Sequence, residues 1–382
     1  MKSERSGKAR RCLSVCALAL LAVAGASGIE AATLDIYFID VEGGQSTLIV
    51  TPQRQTLLID AGWGDGAAGS APGAEPGRDA KRIAAAVHAA GVTRIDYLLI
   101  THFHSDHAGG VPALAQRLPV GTFIDHGSFL PEDRGDPATV AMFEAYAKAR
   151  ARGQRMQPKL GDRLPLRGIE AIVVSTDGAV IDAPLRGAGM RNAECRPAAP
   201  KGLAPNENFR STGVVLRYGK FRFLDIGDLS GQPLYDLVCP RDLIGAVDAY
   251  LVAHHGNSDT ADPATFAAFR PRVAVLNNGK NKGGFPQMFQ TLHDSRSVGD
   301  VWQLHWSQAA GSANFAPEFI ANLDEQSAHW IRLRARKDGS FSVLNGRTGI
   351  AKEYAPGTRP QPSANLQASP PLASSPAGWP HS

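Results

Sequence analysis

The chain has 382 residues, 43% hydrophobic and 20% charged, with a formal net charge of +4. This suits one large globular domain or two small ones, with ample material for a core. Residues 1–32 carry Lys2, Arg5, Lys8, Arg10 and Arg11 against Glu4 and Glu30, so the remainder is close to +1. A balance so near neutral gives no electrostatic case for a nucleic-acid-binding surface.

The N-terminus reads as a secretory leader over residues 1–32: a basic start, the apolar run CLSVCALALLAVAGA, and a small-residue exit around Ala26–Ala32. The apolar run is shorter than the ~20 residues a spanning helix needs, so cleavage is expected in preference to a lasting membrane anchor. Arg10-Arg11 leaves a twin-arginine route open beside the general one. The expected location is periplasmic or extracellular. Cys12 and Cys16 leave with the leader, and Cys195 and Cys239 are then the only cysteines. In an oxidising compartment they are expected to form a disulfide.

From Thr33 the pattern is a series of short β runs, LDIYFIDV, STLIVT and TLLIDAG, separated by glycine-rich breaks. A Gly, Ala and Pro loop over 62–77 leads into RDAKRIAAAVHAAG, an amphipathic helix ending at Gly91. YLLIT is a buried strand that runs straight into THFHSDHAGG. VPALAQRL follows as loop then helix, VGTFIDHG as another strand, and residues 137–151 as a helix. Residues 183–213 read as a long surface loop. GVVLRYG and KFRFLDIGD form a hairpin around Gly219-Lys220. VDAYLVAHHG is a strand emptying into polar residues, followed by a helix at FAAFRP and strands at VAVLNNG, VWQLHW and HWIRLRAR. After Tyr354 the composition turns to Pro, Ser and Ala, a disordered tail over 355–382. One folded domain is expected over 33–354, with polar clusters where strands end, the place where α/β proteins put their chemistry.

His102 and His104 are two apart, so on an extended segment they point the same way, and Asp106 and His107 follow once the chain turns. Imidazoles with a carboxylate suit zinc, and also manganese or iron. So many ligand types in six positions can serve two adjacent metals, but only with help from elsewhere in the chain.

The run HFHSDH with Gly109-Gly110 resembles the HxHxDH motif of the metallo-β-lactamase-fold hydrolases. FIDVEGGQSTLIV resembles the opening strand pair of one branch, the soluble domain of the ComEC-type competence proteins. In the same way TLLIDAG resembles its next strand, NENFRSTGVVLRYGKFRFLDIGD its Asn-x-x-Ser…GD hairpin, and LVAHHGNSD its AHHGS motif. The match spans about residues 34–260 in the branch's order; 261–350 is covered less securely. It implies an α/β fold of the four-layer αββα type with two divalent metals at one edge of the inner sheets. Metal one would take His102, His104 and Asp228. Metal two would take Asp106, His107, Asp228 and one of His254 or His255, His255 being preferred and His254 lining the pocket. Asp60 would support the ligands from behind, and Asn208 and Ser211 hold the branch's Asn and Ser places. Asp228 also reads as a helix cap before LSGQPLYDLV, which does not exclude ligation.

One departure is plain: many two-metal relatives carry another histidine before the shared aspartate, and here none lies between His126 and His254. His126 is accordingly a pocket residue or a replacement ligand. Asn277, Asn278 and His305 fall at strand ends and are candidates for substrate contact, against the simpler readings of a turn and a structural histidine. The resemblance implies hydrolysis by a metal-bridging hydroxide, with Asp106 and His254 in the catalytic group. A small phosphoester or phosphodiester is the first substrate class. A lactone, thioester or β-lactam is the second, and a secreted metal-binding module with little catalysis the third.

Overall fold

The structure is a computed structural model and describes residues 32–66, 75–129, 136–196 and 206–357. The expected leader (all but Ala32), the tail from 358 onward, and parts of the loops expected over 62–77 and 183–213 lie outside the described residues.

The chain opens with an antiparallel meander of β1 (Leu34–Phe38), β2 (Thr47–Val50) and β3 (Thr56–Ile59). Helix α1 (Arg78–Ala89) crosses over to β4 (Ile95–Leu99), which runs parallel to β3. The single-turn helices α2 (Ser105–Ala108) and α3 (Val111–Leu114) follow, then β5 (Val120–Ile124), α4 (Pro137–Arg150) and β6 (Gln154–Met156). Asp136 caps α4 by accepting from the backbone N–H groups of Ala138 and Thr139, as a side-chain oxygen at that position does.

A second sheet starts with β7 (Glu170–Thr176) and β8 (Ala179–Val180), and continues through β9 (Gly213–Tyr218) and β10 (Phe221–Asp225). Then α5 (Gly231–Val238), β11 (Ala249–Leu251), α6 (Pro263–Phe269), β12 (Val273–Leu276), α7 (Pro286–Asp294), β13 (Asp300–His305) and β14 (Ile320–Asn322) extend it by parallel crossovers. Finally β15 (Ile331–Ala335), β16 (Phe341–Asn345) and β17 (Ala351–Tyr354) return to the first sheet, where β15 pairs antiparallel with β1. Among the described residues the sheets hold nine and eight strands, in the orders β17-β16-β15-β1-β2-β3-β4-β5-β6 and β14-β13-β12-β11-β10-β9-β7-β8.

Alternation along each strand explains the layers. Leu34, Ile36 and Phe38 of β1 join Val214, Leu216 and Phe223 in a core between the sheets, whereas Tyr37 and Ile39 face α1, α3 and α4. Val215 and Leu224 face α5, α6 and α7 in a third core. The central strands β1, β2, β3, β11 and β12 are buried along their whole length and read as near-continuous apolar runs, whereas the edge strands β6 and β17 are partly exposed. The result is the expected αββα sandwich. Four elements, β6, β7, β8 and α7, went unrecognised in the sequence, since short runs do not declare their period. Among the described residues no helix is long and apolar enough to cross a membrane.

Candidate metal centre

The strand β4 ends at Leu99, and the histidine run leaves its edge extended until the single turn of α2 reverses it. This places His102 and His104 before the turn and Asp106 and His107 on it. The run is stitched down by backbone bonds: Ala61 N–H donates to His107 O (2.8 Å), and Gly110 N–H to Gly62 O (3.0 Å). A Cβ on Gly110 would stand 2.0 Å from Ala61 O, so only glycine allows this close approach.

Asp228 lies just beyond β10, in the other sheet, and its backbone N–H donates to Ser211 Oγ (3.2 Å). Its Oδ2 faces His107 Nε2 at 3.1 Å, His255 Nε2 at 3.3 Å, His254 Nε2 at 3.7 Å and His102 Nε2 at 3.9 Å. Its Oδ1 is buried with no hydrogen-bond partner among the described residues. Asp106 Oδ2 approaches His255 Nε2 at 3.1 Å and His107 Nε2 at 3.4 Å. The ligand atoms of Asp106, His107, Asp228 and His255 all lie within 4.8 Å of one another.

Imidazole nitrogens also crowd each other, His107 Nε2 and His255 Nε2 at 3.2 Å and His102 Nε2 and His104 Nδ1 at 3.0 Å. Lone pairs gathered around carboxylate oxygens suit a cation better than they suit each other, so the residues present fit a metal group.

The rings are aimed from behind. His107 Nδ1 sits 2.7 Å from Asp60 Oδ2, and Asp60 also accepts from the backbone N–H (2.8 Å) and hydroxyl (2.7 Å) of Thr101. A carboxylate on Nδ1 fixes the tautomer that leaves Nε2 for a metal. His102 Nδ1 faces Thr101 Oγ1 at 3.1 Å and Ser211 Oγ at 3.4 Å. Asp60, His254 and His255 all take left-handed backbone angles, with φ of 59°, 52° and 54°. Such angles cost ~1–3 kcal/mol each and persist where surrounding contacts over-determine them. Here the bonds from Asp60 N–H to Leu99 O (2.8 Å), His254 N–H to Gly227 O (3.1 Å) and Gly284 N–H to His255 O (2.8 Å) hold them.

Electrostatics follow from burial and sign. Burial works to lower His107, but the carboxylates of Asp228, Asp106 and Asp60 outweigh it and hold its pKa well above the ordinary histidine value. Burial opposes ionisation of Asp228 too, yet His107, His255 and His254 keep its pKa well below the usual carboxylate range. His102 is driven well down by burial and by its histidine neighbours, and burial lowers His104. Both therefore stay neutral and able to donate electron pairs.

The remaining sequence candidates divide. Asn208 lies at the site, with Nδ2 3.3 Å from His254 Nε2. His255 joins the four-residue group, while His254 stands at its edge with Nδ1 held by both oxygens of Asp259 (2.8 and 3.0 Å). His126 is not in the four-residue group: its Nε2 meets Glu207 at 2.8 Å and its ring packs on Phe103. Asn277 and Asn278 are buried ties, reaching Gln45 Oε1 (3.4 Å) and the carbonyls of Gly279 (3.0 Å) and His305 (2.6 Å).

His305 belongs to a separate buried group with Asp40 and Glu42. Its ring nitrogens face the carbonyls of Trp306 (2.9 Å) and Asp324 (3.1 Å), so both are engaged within the protein. Arg82 Nη1 already serves Asp40 (3.0 Å) and Glu42 (3.2 Å). That group is an internal ion network, and the strand-end position of His305 misled because the strand end is itself buried. Cys195 and Cys239 form the expected disulfide, with Cα atoms 5.7 Å apart.

Glu207, Gln45 and Asp259 are among the contributors that the sequence did not reveal. Glu207 accepts from the backbone N–H of Phe103 (3.1 Å), between the two histidines. Gln45 bridges the sheets by donating to both oxygens of Asp225 (3.0 and 3.3 Å). Asp259 orients His254. Only the last carried a local signal, five residues after the histidine.

Residues 39–186 match the family described as the Metallo-beta-lactamase superfamily. No curated protein matches the chain. Among solved structures, it is similar to the metallo-beta-lactamase fold protein YhfI from Bacillus subtilis, at 13% identity over 71% of this chain and 95% of that one, with a TM-score of 0.40. It is also similar to CmlA, a diiron beta-hydroxylase from Streptomyces venezuelae, at 14% identity and a TM-score of 0.34, over 63% of this chain but only 44% of that one. A diphosphatase from the PhnP family matches at 11% identity over 64% of this chain and 85% of that one, with a TM-score of 0.32. Likenesses this distant say nothing about substrate. The turn carrying His102, His104, Asp106 and His107 falls inside the span that matches the superfamily's model.

Proposed function

We propose that the chain is an exported, metal-dependent hydrolase that cleaves a phosphoester at a pair of divalent metals. The observation that carries the reading is Asp228 Oδ2, faced by imidazole nitrogens from His107, His255, His254 and His102 within 3.1–3.9 Å. Asp106, His107, Asp228 and His255 would hold one metal, and His102, His104 and Asp228 the other. When bound, such a pair supplies Lewis acidity and lowers the pKa of a coordinated water. The preference for a phosphoester rests on the motifs shared with the competence branch. Export is supported by the leader-like N-terminus and by the disulfide.

The protein's own groups do the rest. Asp60 and Thr101 keep the His107 ring aimed. Asp259 holds the His254 Nδ1 proton, which turns Nε2 toward the site for contact with a phosphoryl oxygen or for proton transfer to a departing alkoxide. Metals of the residue 33–382 chain should be quantified, and bis(p-nitrophenyl) phosphate assayed beside nitrocefin and a simple lactone. About two metal equivalents with phosphodiester turnover are expected. Turnover of nitrocefin alone would overturn the reading.

A further inference from the structure

Lys282 sits on the loop after β12, and its Nζ contacts Asp106 Oδ2, 176 positions away in sequence. Among the described residues it is the one lysine or arginine paired with a member of the four-residue metal group. An ammonium beside a metal-binding carboxylate is costly, because it repels the very cation that the carboxylate must hold. Its side chain is 33% exposed.

The loop nevertheless fixes it firmly. Gly279 N–H donates to Lys282 O (2.8 Å). Gly43, at φ 80°, lets the two loops touch: a Cβ there would lie 2.8 Å from Lys282 Cβ. The ammonium lies over the Trp63 ring, 4.5 Å from its centroid, where the ring's electron-rich face attracts the cation. Trp63 is itself buried, and its indole N–H has no hydrogen-bond partner among the described residues. That nitrogen borders the same carboxylate loop, because a Cβ on Gly44 would meet Trp63 Nε1 and Asp106 Cβ both at 3.3 Å.

We infer that Lys282, braced on the face of Trp63, is an oxyanion-binding residue at the mouth of the metal centre. It holds a charged phosphoryl oxygen of the substrate. The inference builds on the proposed phosphoesterase reading and narrows it. Two divalent cations and an ammonium outweigh the carboxylates of Asp106 and Asp228, so the centre favours an anionic phosphoester over a neutral lactone or ester. The ammonium has three N–H donors and uses one on Asp106, which leaves donors for the ligand, and charge-assisted bonds of this kind are the strong ones.

The test is calorimetric titration of inorganic phosphate into the metal-loaded protein, comparing wild type with Lys282→Met and Lys282→Arg. Metal content and melting temperature are measured on each. Lys282→Met should weaken phosphate binding about ten-fold or more at wild-type metal content, and Lys282→Arg should retain most of the affinity. Equal phosphate affinity in wild type and Lys282→Met, or loss of metal from Lys282→Met, would overturn the assignment, the latter because the lysine would then act through Asp106. If wild type cleaves no phosphodiester while the phosphate affinities still separate, the phosphoesterase reading fails and the anion subsite stands.

Discussion

Asp60 Oδ2 lies 2.7 Å from His107 Nδ1, while Nε2 of the same ring lies 3.1 Å from Asp228 Oδ2. One imidazole thus spans the space between a supporting carboxylate on the first sheet and a metal-facing carboxylate on the second. Asp60→Asn keeps the shape of the side chain but loses the negative charge that fixes the tautomer. Metal affinity should fall about 10- to 100-fold, read by competition with a chromophoric chelator. An unchanged affinity in a folded variant would show that Asp60 serves stability alone.

Asp228 and His255 should separate in a metal count. Asp228 faces nitrogens from both halves of the site, whereas His255 belongs to the group with Asp106 and His107. Asp228→Ala is expected to bind neither metal tightly, and His255→Ala to keep one. Elemental analysis after dialysis decides it, and His255→Ala with a full complement would remove that residue from the ligand set.

Metal uptake should release protons. In the metal-free protein the surrounding carboxylates hold His107 charged at neutral pH, because its pKa lies well above the ordinary value. A metal can take Nε2 only from the neutral ring, so affinity should rise with pH until that raised pKa is passed. Stability of the metal-free form runs the opposite way. A raised histidine contributes fully below its unfolded pKa, ~6.5, and its contribution is lost as pH rises through the folded value. Melting temperatures at pH 6 and pH 9 should therefore fall with pH from this source in chelated protein, and hold or rise once metal replaces the proton. A binding enthalpy that is independent of buffer ionisation would contradict proton release.

The disulfide closes a span of 44 residues between Cys195 and Cys239. Chain-entropy arguments give about 2–4 kcal/mol for such a link. The loss is moderated because Asn192 Nδ2 also anchors this segment, to Val238 O (3.1 Å) and Ala264 O (2.8 Å). Cys195→Ser with Cys239→Ser should lower the unfolding free energy by about that amount in denaturant titrations. Metal content should hold, since neither cysteine touches the metal group.

What could be read in advance depended on range. His102 and His104 alternate on an extended segment, and Asp106 and His107 follow a turn, so their convergence is a local property. The shared carboxylate and the AHHG turn were reached through resemblance of motifs, because no local rule says that residue 228 meets residue 107. Glu207 and Lys282 were invisible for the same reason. Each acts on the histidine turn from more than a hundred residues away, and an isolated Glu or Lys looks like any solvated charge. His305 shows the converse: a histidine at a strand end resembles a ligand until both ring nitrogens are seen to meet carbonyls.

By itself, then, the sequence determined most of the strands and helices and the local ligand turn, since apolar periodicity and side-chain alternation operate over a few residues, whereas the four-layer arrangement was reached through resemblance. The tertiary structure decided which of two adjacent histidines joins the group, which carboxylate aims which ring, and where a lone ammonium comes to rest. These outcomes depend on left-handed backbone angles and on angstrom-scale contacts between the two sheets. Only the packing of the whole sandwich fixes them, because no local preference favours strained backbone or gathers buried charge.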